Sequence, residues 1–453
     1  MLISSGSMLK CAHLNLRDDP LPKRIIHWAT RWFRRTKKIT KTSRDVIARP
    51  DHTVSRDAIS QNALKVMYRL KDAGYAAFLV GGGVRDILLG RQPKDFDVAT
   101  DAHPEAIREL FRNSRIIGRR FRLVHVFYDG EIIEVSTFRA NATEPTTRTQ
   151  TQIHAETGMI FRDNTYGTVE EDAWRRDFTV NALYYNIADF SLVDYTRGLT
   201  DLKHRLIRII GDPVQRYHED PVRLLRAIRF AAKLDFTLEK ETEIALKALP
   251  HLLQHVPTSR LFDECLKLFF EGNAFATYQK LLHYHYLGAL FPQTLQVLHL
   301  HKNKVHEKLI HLAMKATDER LRADNSVNPA FLLAVLLWPV LQQELTKMKN
   351  KKVKFYLRLH QLMSDIIHRQ VEAMMIPKRL QFAIQAIWVL QFQLQKRRQS
   401  RILNVFHHRY FRAAFDFMGL RVQANEISST EYEWWRQLQL MDTEKQEAMI
   451  AEL

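Results

Sequence analysis

The spacing of hydrophobic residues along the chain changes at about residue 250. Before that point, short apolar runs are separated by Gly, Pro and Asp-Gly, which predicts strands joined by tight turns and short helices. After it, apolar residues recur at helical spacing in residues 260–270, 274–285, 302–317, 329–343 and 353–374 and in a last region, 377–420. The pattern predicts an α+β part followed by an all-α part.

A glycine turn follows a strongly apolar run. Residues 76–80 predict a buried strand, and the three glycines that begin at Gly81 allow the backbone to turn tightly and to approach a ligand closely. Residues 84–89 predict a short helix, and a helix amino end after such a turn is suited to binding phosphate. The segment therefore predicts a phosphate-binding turn between a strand and a helix.

Two aspartates come shortly after this turn. Because side chains alternate along an extended chain, Asp95 and Asp97 are predicted to point to one face while Phe96 enters the core. Two carboxylates on one face repel each other unless a cation lies between them. Carboxylate oxygens suit Mg²⁺, and two such ions stabilise both oxygens of an in-line displacement. We therefore predict metal-assisted phosphoryl or nucleotidyl transfer; two solvated acids on a surface loop are the alternative.

A predicted hairpin supplies a third acid. Residues 116–128 and 131–139 are sheet-forming runs separated by Asp-Gly, a pair typical of hairpin turns. Glu134 is polar inside the second run, where an acid is costly unless it is paired or bound to metal. We assign Glu134 as the third carboxylate, facing Asp95 and Asp97. A glutamate that faces water on an edge strand is the alternative.

Residues 170–185 combine a predicted helical face, which includes Phe178 and Leu183, with a polar cluster. The cluster consists of Arg175, Arg176, Asp177 and Asn181. The forked donors of arginine suit a triphosphate, and Asp and Asn side chains suit ribose hydroxyls. Asp177 could instead serve the metal site, and an ordinary helix cap with a surface ion pair is the remaining alternative.

Another helix is predicted to begin with Asp220 as its N-cap and Pro221 as its first residue. Arg223 and Arg226 are three residues apart, so they share one face of this helix. Without further context, a cap and ion pairs between neighbouring turns explain these charges.

Composition narrows the class of partner and the compartment. A net charge of +18 over 453 residues favours a polyanion, because Lys and Arg that neutralise phosphates release counterions; a merely basic soluble protein is the alternative. The two cysteines, Cys11 and Cys265, offer no disulfide framework and indicate a reducing compartment. We find neither a long uncharged apolar segment nor the order of a secretory signal, and predict a cytoplasmic protein without a transmembrane segment.

The first 50 residues form a separate basic segment. Within residues 23–38, apolar side chains lie near one helical stripe among many cations: Ile25, Trp28, Trp32 and Phe33. Such a stretch suits RNA or a peripheral contact with an anionic membrane surface. A mobile basic arm that adds nonspecific affinity is the alternative.

The glycine turn and the aspartates also carry a resemblance. Gly-Gly-x-Val-Arg-Asp-x-Leu-Leu-Gly at residues 81–90, followed by Asp-x-Asp at 95–97, resembles the head domain of the class II nucleotidyltransferases. That family contains the CCA-adding enzymes and the bacterial poly(A) polymerases. Three further motifs match it: Glu-Val-x-Thr-Phe-Arg at 134–139, Arg-Arg-Asp-Phe-Thr-x-Asn-Ala at 175–182 and Glu-Asp-x-x-Arg at 219–223. The resemblance implies a polymerase β-like head with a mixed sheet, followed by a helical neck, body and tail.

The resemblance implies a role for each motif. Asp95, Asp97 and Glu134 would hold two Mg²⁺ ions, and Asp177 is the fourth catalytic candidate. The substrate ATP would be bound by Gly81, Gly82, Arg85, Arg176, Asp177, Asn181, Glu219, Asp220, Arg223 and Arg226. In this set Asp220 and Arg223 form an acceptor–donor pair for reading a base, a pair that both adenine and cytosine satisfy.

One segment is similar to a single branch of the family. Residues 117–125, Ile-Gly-Arg-Arg-Phe-Arg-Leu-Val-His, resemble the poly(A) polymerases, whereas CCA-adding enzymes usually have a Gly-Thr-Val-type segment there. This implies template-independent addition of AMP from ATP to the 3′ ends of mRNA and small RNA, with RNA-decay machinery as a partner. CCA addition to tRNA is the alternative within the family. A noncatalytic basic adaptor that binds RNA or a membrane is the alternative outside it.

These observations predict five regions along the chain. They are a basic arm at 1–50, a catalytic head at 51–190, a base-recognising neck at 191–250, a helical body at 251–372 and a basic, helical, RNA-binding region at 373–453. Similarity to the poly(A) branch covers residues from about 55 to about 440.

Overall fold

The computed structural model of the protein describes residues 44–118, 122–140, 152–153, 160–162, 165–301, 304–347 and 355–453. Residues 1–43 of the predicted basic arm and 119–121 of the branch-specific segment lie outside the described residues. The strands are β1 (Asp45–Ile47), β2 (Ala77–Val80), β3 (Asp97–Thr100), β4 (Ser114–Ile117), β5 (Leu123–Tyr128), β6 (Glu131–Thr137), β7 (Gln152–Ile153), β8 (Ile160–Arg162), β9 (Leu183–Asn186), β10 (Leu192–Asp194), β11 (Leu206–Ile207) and β12 (Thr237–Leu238).

The helices divide into those of the α+β part and those that follow it. The first group is α1 (Gln61–Asp72), α2 (Gly82–Leu88), α3 (Pro104–Leu110), α4 (Val169–Arg175), α5 (Gly198–Lys203), α6 (Pro213–Glu219), α7 (Val222–Leu234) and α8 (Lys240–Ala248). The second group is α9 (Thr258–Phe269), α10 (Ala274–His283), α11 (Leu287–Leu290), α12 (Pro292–His301), α13 (Lys304–Arg322), α14 (Pro329–Lys347), α15 (Phe355–Ala373), α16 (Lys378–Leu394), α17 (Ile402–Phe406), α18 (Phe411–Gln423), α19 (Thr430–Leu440) and α20 (Thr443–Ala451).

Eight strands form one mixed sheet in the order β1-β10-β9-β2-β3-β6-β5-β4. Neighbouring strands are antiparallel except β3 and β6, which run parallel. A parallel pair needs a crossover connection, which here consists of α3, β4 and β5. The predicted strand at 76–80, the short helix after the glycine turn and the hairpin across Asp-Gly are all confirmed as β2, α2 and β5–β6.

The sheet register brings the predicted site residues together. On the parallel pair, Asp97 lies opposite Glu134. Val80, the last residue of β2, lies opposite Asp97 on one side and opposite Tyr184 of β9 on the other. The glycine turn that follows Val80 is therefore flanked by side chains from both neighbouring strands.

The helix predicted at residues 170–185 is wrong in its second half. Helix α4 ends at Arg175, one 3-10 turn spans Thr179–Asn181, and the chain then continues as β9 inside the sheet. Leu183, Tyr184 and Tyr185 are all fully buried, so both faces of β9 are covered. A strand buried on both faces has no alternation of polar and apolar residues, which is why its pattern imitated a helical face.

The helix start predicted at Asp220 and Pro221 agrees with the backbone, because Asp220 is extended and Pro221 is helical. Helix α7 begins at Val222, and Pro221 before it already has a helical backbone conformation, with no side-chain hydrogen bond at the cap. The carboxylate of Asp220 contacts Arg260 of α9 instead. Strands β1 and β10 extend the sheet beyond the predicted head range, 51–190.

Beyond residue 250, the predicted helices are present as α9, α10, α13, α14 and α15, and the last region is divided among α16, α17 and α18. Within the described residues, only α14 is long and apolar enough to cross a membrane by length and composition. It packs against α12, α13, α15 and α16, and 61% of its most apolar window is buried. Length and composition are therefore weak evidence for a membrane span at α14.

Two glycines, Gly198 and Gly272, offer a test of the packing. A Cβ added at Gly198 would overlap the carbonyl oxygen of Thr179 and touch Leu183, while one added at Gly272 would meet no atom within 4 Å. We expect Gly198→Ala to lower the free energy of unfolding by about 3 kcal/mol, because neither backbone segment can move freely. Gly272→Ala, strained only by its positive φ, is the matched control and should cost about 1 kcal/mol. Thermal unfolding followed by circular dichroism measures both, and equal losses would contradict the packing described.

Candidate active site

The glycine turn brings the backbone next to two predicted site residues. Gly81 has a φ of 71°, in the left-handed region that favours glycine. A Cβ added there would lie 3.4 Å from Nη1 of Arg176 and 3.7 Å from Oδ2 of Asp97. One added at Gly82 would lie 3.5 Å from Nη2 of Arg85. The turn, the Asp97 carboxylate and the Arg176 guanidinium therefore belong to one site.

Three carboxylates surround the start of β3. Asp95 is exposed just before the strand, Asp97 opens the strand and is partly buried, and Glu134 lies opposite Asp97 on β6. Oε1 of Glu134 is 3.1 Å from Nε2 of His125 on β5. Among the residues that the structure describes, no group of three or more His, Cys, Asp or Glu is gathered as a metal site. The predicted acids are thus neighbours, and Glu134 would have to leave His125 to join the two aspartates as a ligand.

The Asp97 carboxyl group resists ionisation. Burial raises its pKa from the ordinary value of 3.8 to about 6, with further contributions from Glu134 and Asp95 and an opposing one from Arg176. A carboxylate that is penalised by burial and by like charges gains from a bound cation. Carboxylate oxygens suit Mg²⁺, so the donors at Asp95 and Asp97 fit a divalent cation.

Arg176 reaches the site from the end of α4. Its Nε donates to the Tyr184 hydroxyl at 2.7 Å, and its Nη2 donates to Oδ2 of Asp172 at 3.2 Å. Tyr184 donates to the same Asp172 oxygen at 2.6 Å. Burial alone would lower the pKa of Arg176, but Tyr184, Asp172 and Asp97 raise it above the ordinary range. A permanent cation is therefore held beside the glycine turn.

Asp177 connects the head to the neck. Its Oδ2 accepts from Nε and Nη2 of Arg226 at 2.7 and 2.5 Å, and its Oδ1 accepts from Nδ2 of Asn181 at 3.2 Å. Oδ1 of Asn181 accepts from Nη1 of the buried Arg85 at 2.5 Å. Burial would raise the pKa of Asp177, but Arg226, Asn181 and the backbone N–H of Phe178 lower it to about 2. Four predicted residues, Arg85, Asp177, Asn181 and Arg226, thus form one network.

The predicted base-reading residues are divided between two ion pairs. Oε2 of Glu219 accepts from Nη1 of Arg223 at 3.1 Å and from Nη1 of Arg216 at 2.8 Å. The Asp220 carboxylate accepts two hydrogen bonds from Arg260, at 2.7 and 2.8 Å. The structure therefore keeps Glu219 and Arg223 together and joins Asp220 to the first helix of the body.

Sequence reasoning missed four residues that contact the site: His125, Asp172, Tyr184 and Arg260. Arg260 lies 40 residues after Asp220, so no local spacing connects them. Of these four residues, only Tyr184 had a signal in the sequence, because a buried tyrosine usually needs a partner for its hydroxyl group.

Protein-family models match three parts of the chain. The poly A polymerase head domain matches residues 77–208, which contain all four predicted catalytic residues. The probable RNA and SrmB-binding site of polymerase A matches residues 235–298, and the polymerase A arginine-rich C-terminus matches residues 351–453.

Similarity to curated relatives extends over almost the whole chain. Poly(A) polymerase I of Salmonella typhi is 45% identical over 412 residues, which are 90% of this chain and 88% of that protein. The chain belongs to the poly(A) polymerase family. Poly(A) polymerase I of Haemophilus influenzae is 42% identical over 424 residues, 92% of this chain and 94% of that protein. By contrast, a CCA-adding enzyme of Lactobacillus helveticus is 40% identical over 206 residues, only 46% of this chain and 49% of that enzyme.

Solved structures show that this member of the poly(A) polymerase family shares a fold with CCA-adding enzymes. A tRNA-processing enzyme (apo form I) aligns with a TM-score of 0.58 at 23% identity, covering 88% of this chain and 98% of that chain. The Bacillus stearothermophilus CCA-adding enzyme in complex with CTP aligns with a TM-score of 0.56 at 24% identity, covering 87% and 82%. The predicted fold class is confirmed.

The raised pKa of Asp97 has a consequence for stability. An acid whose folded pKa lies above its ordinary value destabilises the fold where it is ionised, so the penalty grows above pH 3.8 and is complete above about pH 6. We expect Asp97→Asn to raise the free energy of unfolding by about 1–2 kcal/mol at about pH 7.5 in EDTA, and to have little effect near pH 4. The exposed Asp95→Asn is the control, expected to be neutral at both pH values. Destabilisation by Asp97→Asn at the higher pH would contradict the assignment.

Proposed function

We propose that this protein is a nucleotidyltransferase that adds AMP from ATP to RNA 3′ ends without a template. The observation that carries the proposal is the extent of similarity: 45% identity to a poly(A) polymerase I spans 90% of the chain, whereas similarity to a CCA-adding enzyme spans 46%. The geometry supports it, because the Asp97 carboxylate and the Arg176 guanidinium meet at one glycine turn.

The metal-binding part of the proposal concerns the three carboxylates. Asp95 and Asp97 would hold two Mg²⁺ ions, joined by Glu134 once its carboxylate leaves His125. When bound, such ions lower the pKa of the RNA 3′-hydroxyl and neutralise the charge that develops on pyrophosphate. The partly buried Asp97 is the group that gains most from them, since its ionisation is otherwise opposed.

The nucleotide-binding part divides the predicted residues into two roles. Gly81, Gly82 and Arg176 form the contact surface for the triphosphate, because a permanent cation lies beside the backbone of the turn. Arg85 is buried and already hydrogen-bonded to Asn181, so we assign it to the network that supports the pocket. Asp177, with its oxygens taken by Arg226 and Asn181, is assigned to the same network.

Selection of adenine depends on how Asp220 is held. If Arg260 did not hold Asp220, the Asp220 carboxylate could move to accept a hydrogen bond from the exocyclic amine of either adenine or cytosine. The two hydrogen bonds from Arg260 fix it in one place, and we assign the reading of the larger base to this fixed carboxylate together with Arg223. Shape and a single donor then favour ATP over CTP.

RNA is bound by the helical part in this proposal. The chain carries a net charge of +18, and the match to an RNA-binding family region covers residues 235–298. Exposed cations on the last helices and their connections offer phosphate contacts: Lys378, Arg379, Lys396, Arg398, Arg401, Arg409 and Arg412. Cytoplasmic location, cooperation with RNA-decay machinery and membrane contact through residues 1–50 stay predictions.

Primer extension tests the proposed function. A labelled oligo(A) primer and a tRNA lacking its CCA end are each incubated with Mg²⁺ and single nucleoside triphosphates, then with all four. We expect long products on oligo(A) with ATP alone and little use of CTP. Asp95→Ala should abolish extension with an unchanged unfolding midpoint, while Asp129→Ala, an exposed acid in the hairpin turn, should extend normally.

Other outcomes would change the assignment. Products that stop after C, C and A on the tRNA would make the protein a CCA-adding enzyme. No incorporation on either RNA would favour the noncatalytic adaptor.

The Arg260 contact gives a test of base selection. We expect Arg260→Ala to lower the ratio of kcat/KM for ATP to that for CTP about tenfold, because the released Asp220 can then follow the smaller base. Arg205→Ala, which removes an exposed ion pair with Asp235 in the same region, is the control and should leave the ratio unchanged. An unchanged ratio in Arg260→Ala would show that Asp220 needs no support from the body.

A further inference from the structure

The hydroxyl group of Tyr184 is a buried polar group with two strong contacts and no role in the function proposed so far. Tyr184 is fully buried in β9 and lies opposite Val80, the residue directly before Gly81. Its ring packs edge-on against Phe78 and Tyr195, with centroids 6.0 and 6.4 Å away. The ring is therefore held rigidly beside the glycine turn.

The Tyr184 hydroxyl joins a fixed acid to a long, flexible cation. It accepts a hydrogen bond from Nε of Arg176 at 2.7 Å and donates one to Oδ2 of Asp172 at 2.6 Å. Asp172 is itself anchored, because its Oδ1 accepts from the backbone N–H of Arg139 at 3.2 Å. The guanidinium carbon of Arg176 also lies 5.1 Å from the centroid of the Tyr184 ring. Tyr184 thus contacts Arg176 through both its ring and its hydroxyl.

The other hydrogen bonds of Arg176 are longer. Its Nε and Nη2 are 3.3 and 3.2 Å from Oδ2 of Asp172, and its Nη1 is 3.5 Å from the carbonyl oxygen of Asn181. Nη1 is also the atom that approaches Gly81, close to the carboxylate of Asp97. The shortest hydrogen bond from Arg176, to Tyr184, therefore fixes the end of the side chain that faces the turn.

We propose that Tyr184 is a positioning residue that holds the Arg176 guanidinium against the Gly81 turn, where it binds the phosphates of ATP. The inference rests on the proposed function for the identity of the ligand. Arginine loses considerable side-chain entropy when it is ordered, and a hydrogen bond formed in advance reduces that loss at binding. Without the hydroxyl, Arg176 would still carry its charge but would spend less time in the binding position.

The matched pair Tyr184→Phe and Tyr185→Phe isolates this effect. Tyr184 and Tyr185 are neighbouring buried tyrosines of β9, and each substitution removes the hydroxyl oxygen of one of them. The Tyr185 hydroxyl makes no hydrogen bond within the described part of the chain. The probes are ATP and adenosine, whose dissociation constants are measured with Mg²⁺ and without RNA. We expect Tyr184→Phe to weaken ATP binding about tenfold and adenosine binding less than twofold, and Tyr185→Phe to change neither by more than twofold.

A double-mutant cycle shows whether Tyr184 acts through Arg176. The Arg176→Lys background lacks the guanidinium group that Tyr184 is proposed to position. Tyr184→Phe should therefore change ATP affinity less than twofold in that background. If Tyr184→Phe does not fold, Asp172→Asn provides the second variant, since it weakens the acceptor for both partners. It should reproduce the selective loss for ATP.

Each contrary outcome would overturn the proposal. These are wild-type ATP affinity in Tyr184→Phe, an equal loss for ATP and adenosine, a tenfold loss that persists in the Arg176→Lys background, or the same loss in Tyr185→Phe. If the wild-type protein binds ATP but fails to extend RNA, the proposed function is wrong, while these affinities still decide the role of Tyr184.

Discussion

The partly buried ion pair between Asp177 and Arg226 is the interaction on which the arrangement of the site depends. It joins the loop after α4 to the neck helix α7, and through Asn181 it reaches Arg85 under the glycine turn. The ring centroid of Phe230, on the same neck helix, lies 5.4 Å from the guanidinium carbon of Arg85 and 5.4 Å from that of Arg226. Removing one partner of such a pair leaves the other charge poorly solvated, which lowers the free energy of unfolding by about 3 kcal/mol. This network therefore joins α7 to the loop that follows α4 and to the glycine turn.

The charged forms of an acid and of an arginine are both disfavoured in the head domain. On one side, the ionised form of Asp97 is opposed by burial and by neighbouring acids. On the other, burial lowers the pKa of Arg175 to about 9, and the nearby Arg139, Arg216 and Arg223 add to the effect. The first group gains from a cation and the second from an anion. In the proposed function, a nucleoside triphosphate carrying Mg²⁺ would supply both charges.

The features that sequence reasoning recovered are local or repeat at short spacing. The strand, turn and helix around Gly81 and the hairpin that carries Glu134 each lie within about a dozen residues, where turn residues and alternation suffice. The register that sets Asp97 opposite Glu134 was expected because an acid inside an apolar strand is costly unless it is paired or bound to metal, and because Glu134 matches a motif of the family. What failed depended on distant partners. Tyr184 looked helical because both faces of β9 are covered, and the contact of Asp220 with Arg260 was missed because Arg260 is far along the chain.

The parallel pairing of β3 with β6 sets the order in which activity can arise as the chain is made. The hairpin β5–β6 can form as soon as it is synthesised, but Asp97 and Glu134 become neighbours only after the crossover has closed. Strand β9 and the neck helix α7, which bring Tyr184 and Arg226, leave the ribosome later still. The arrangement of side chains described above is therefore complete only after α7 has been synthesised.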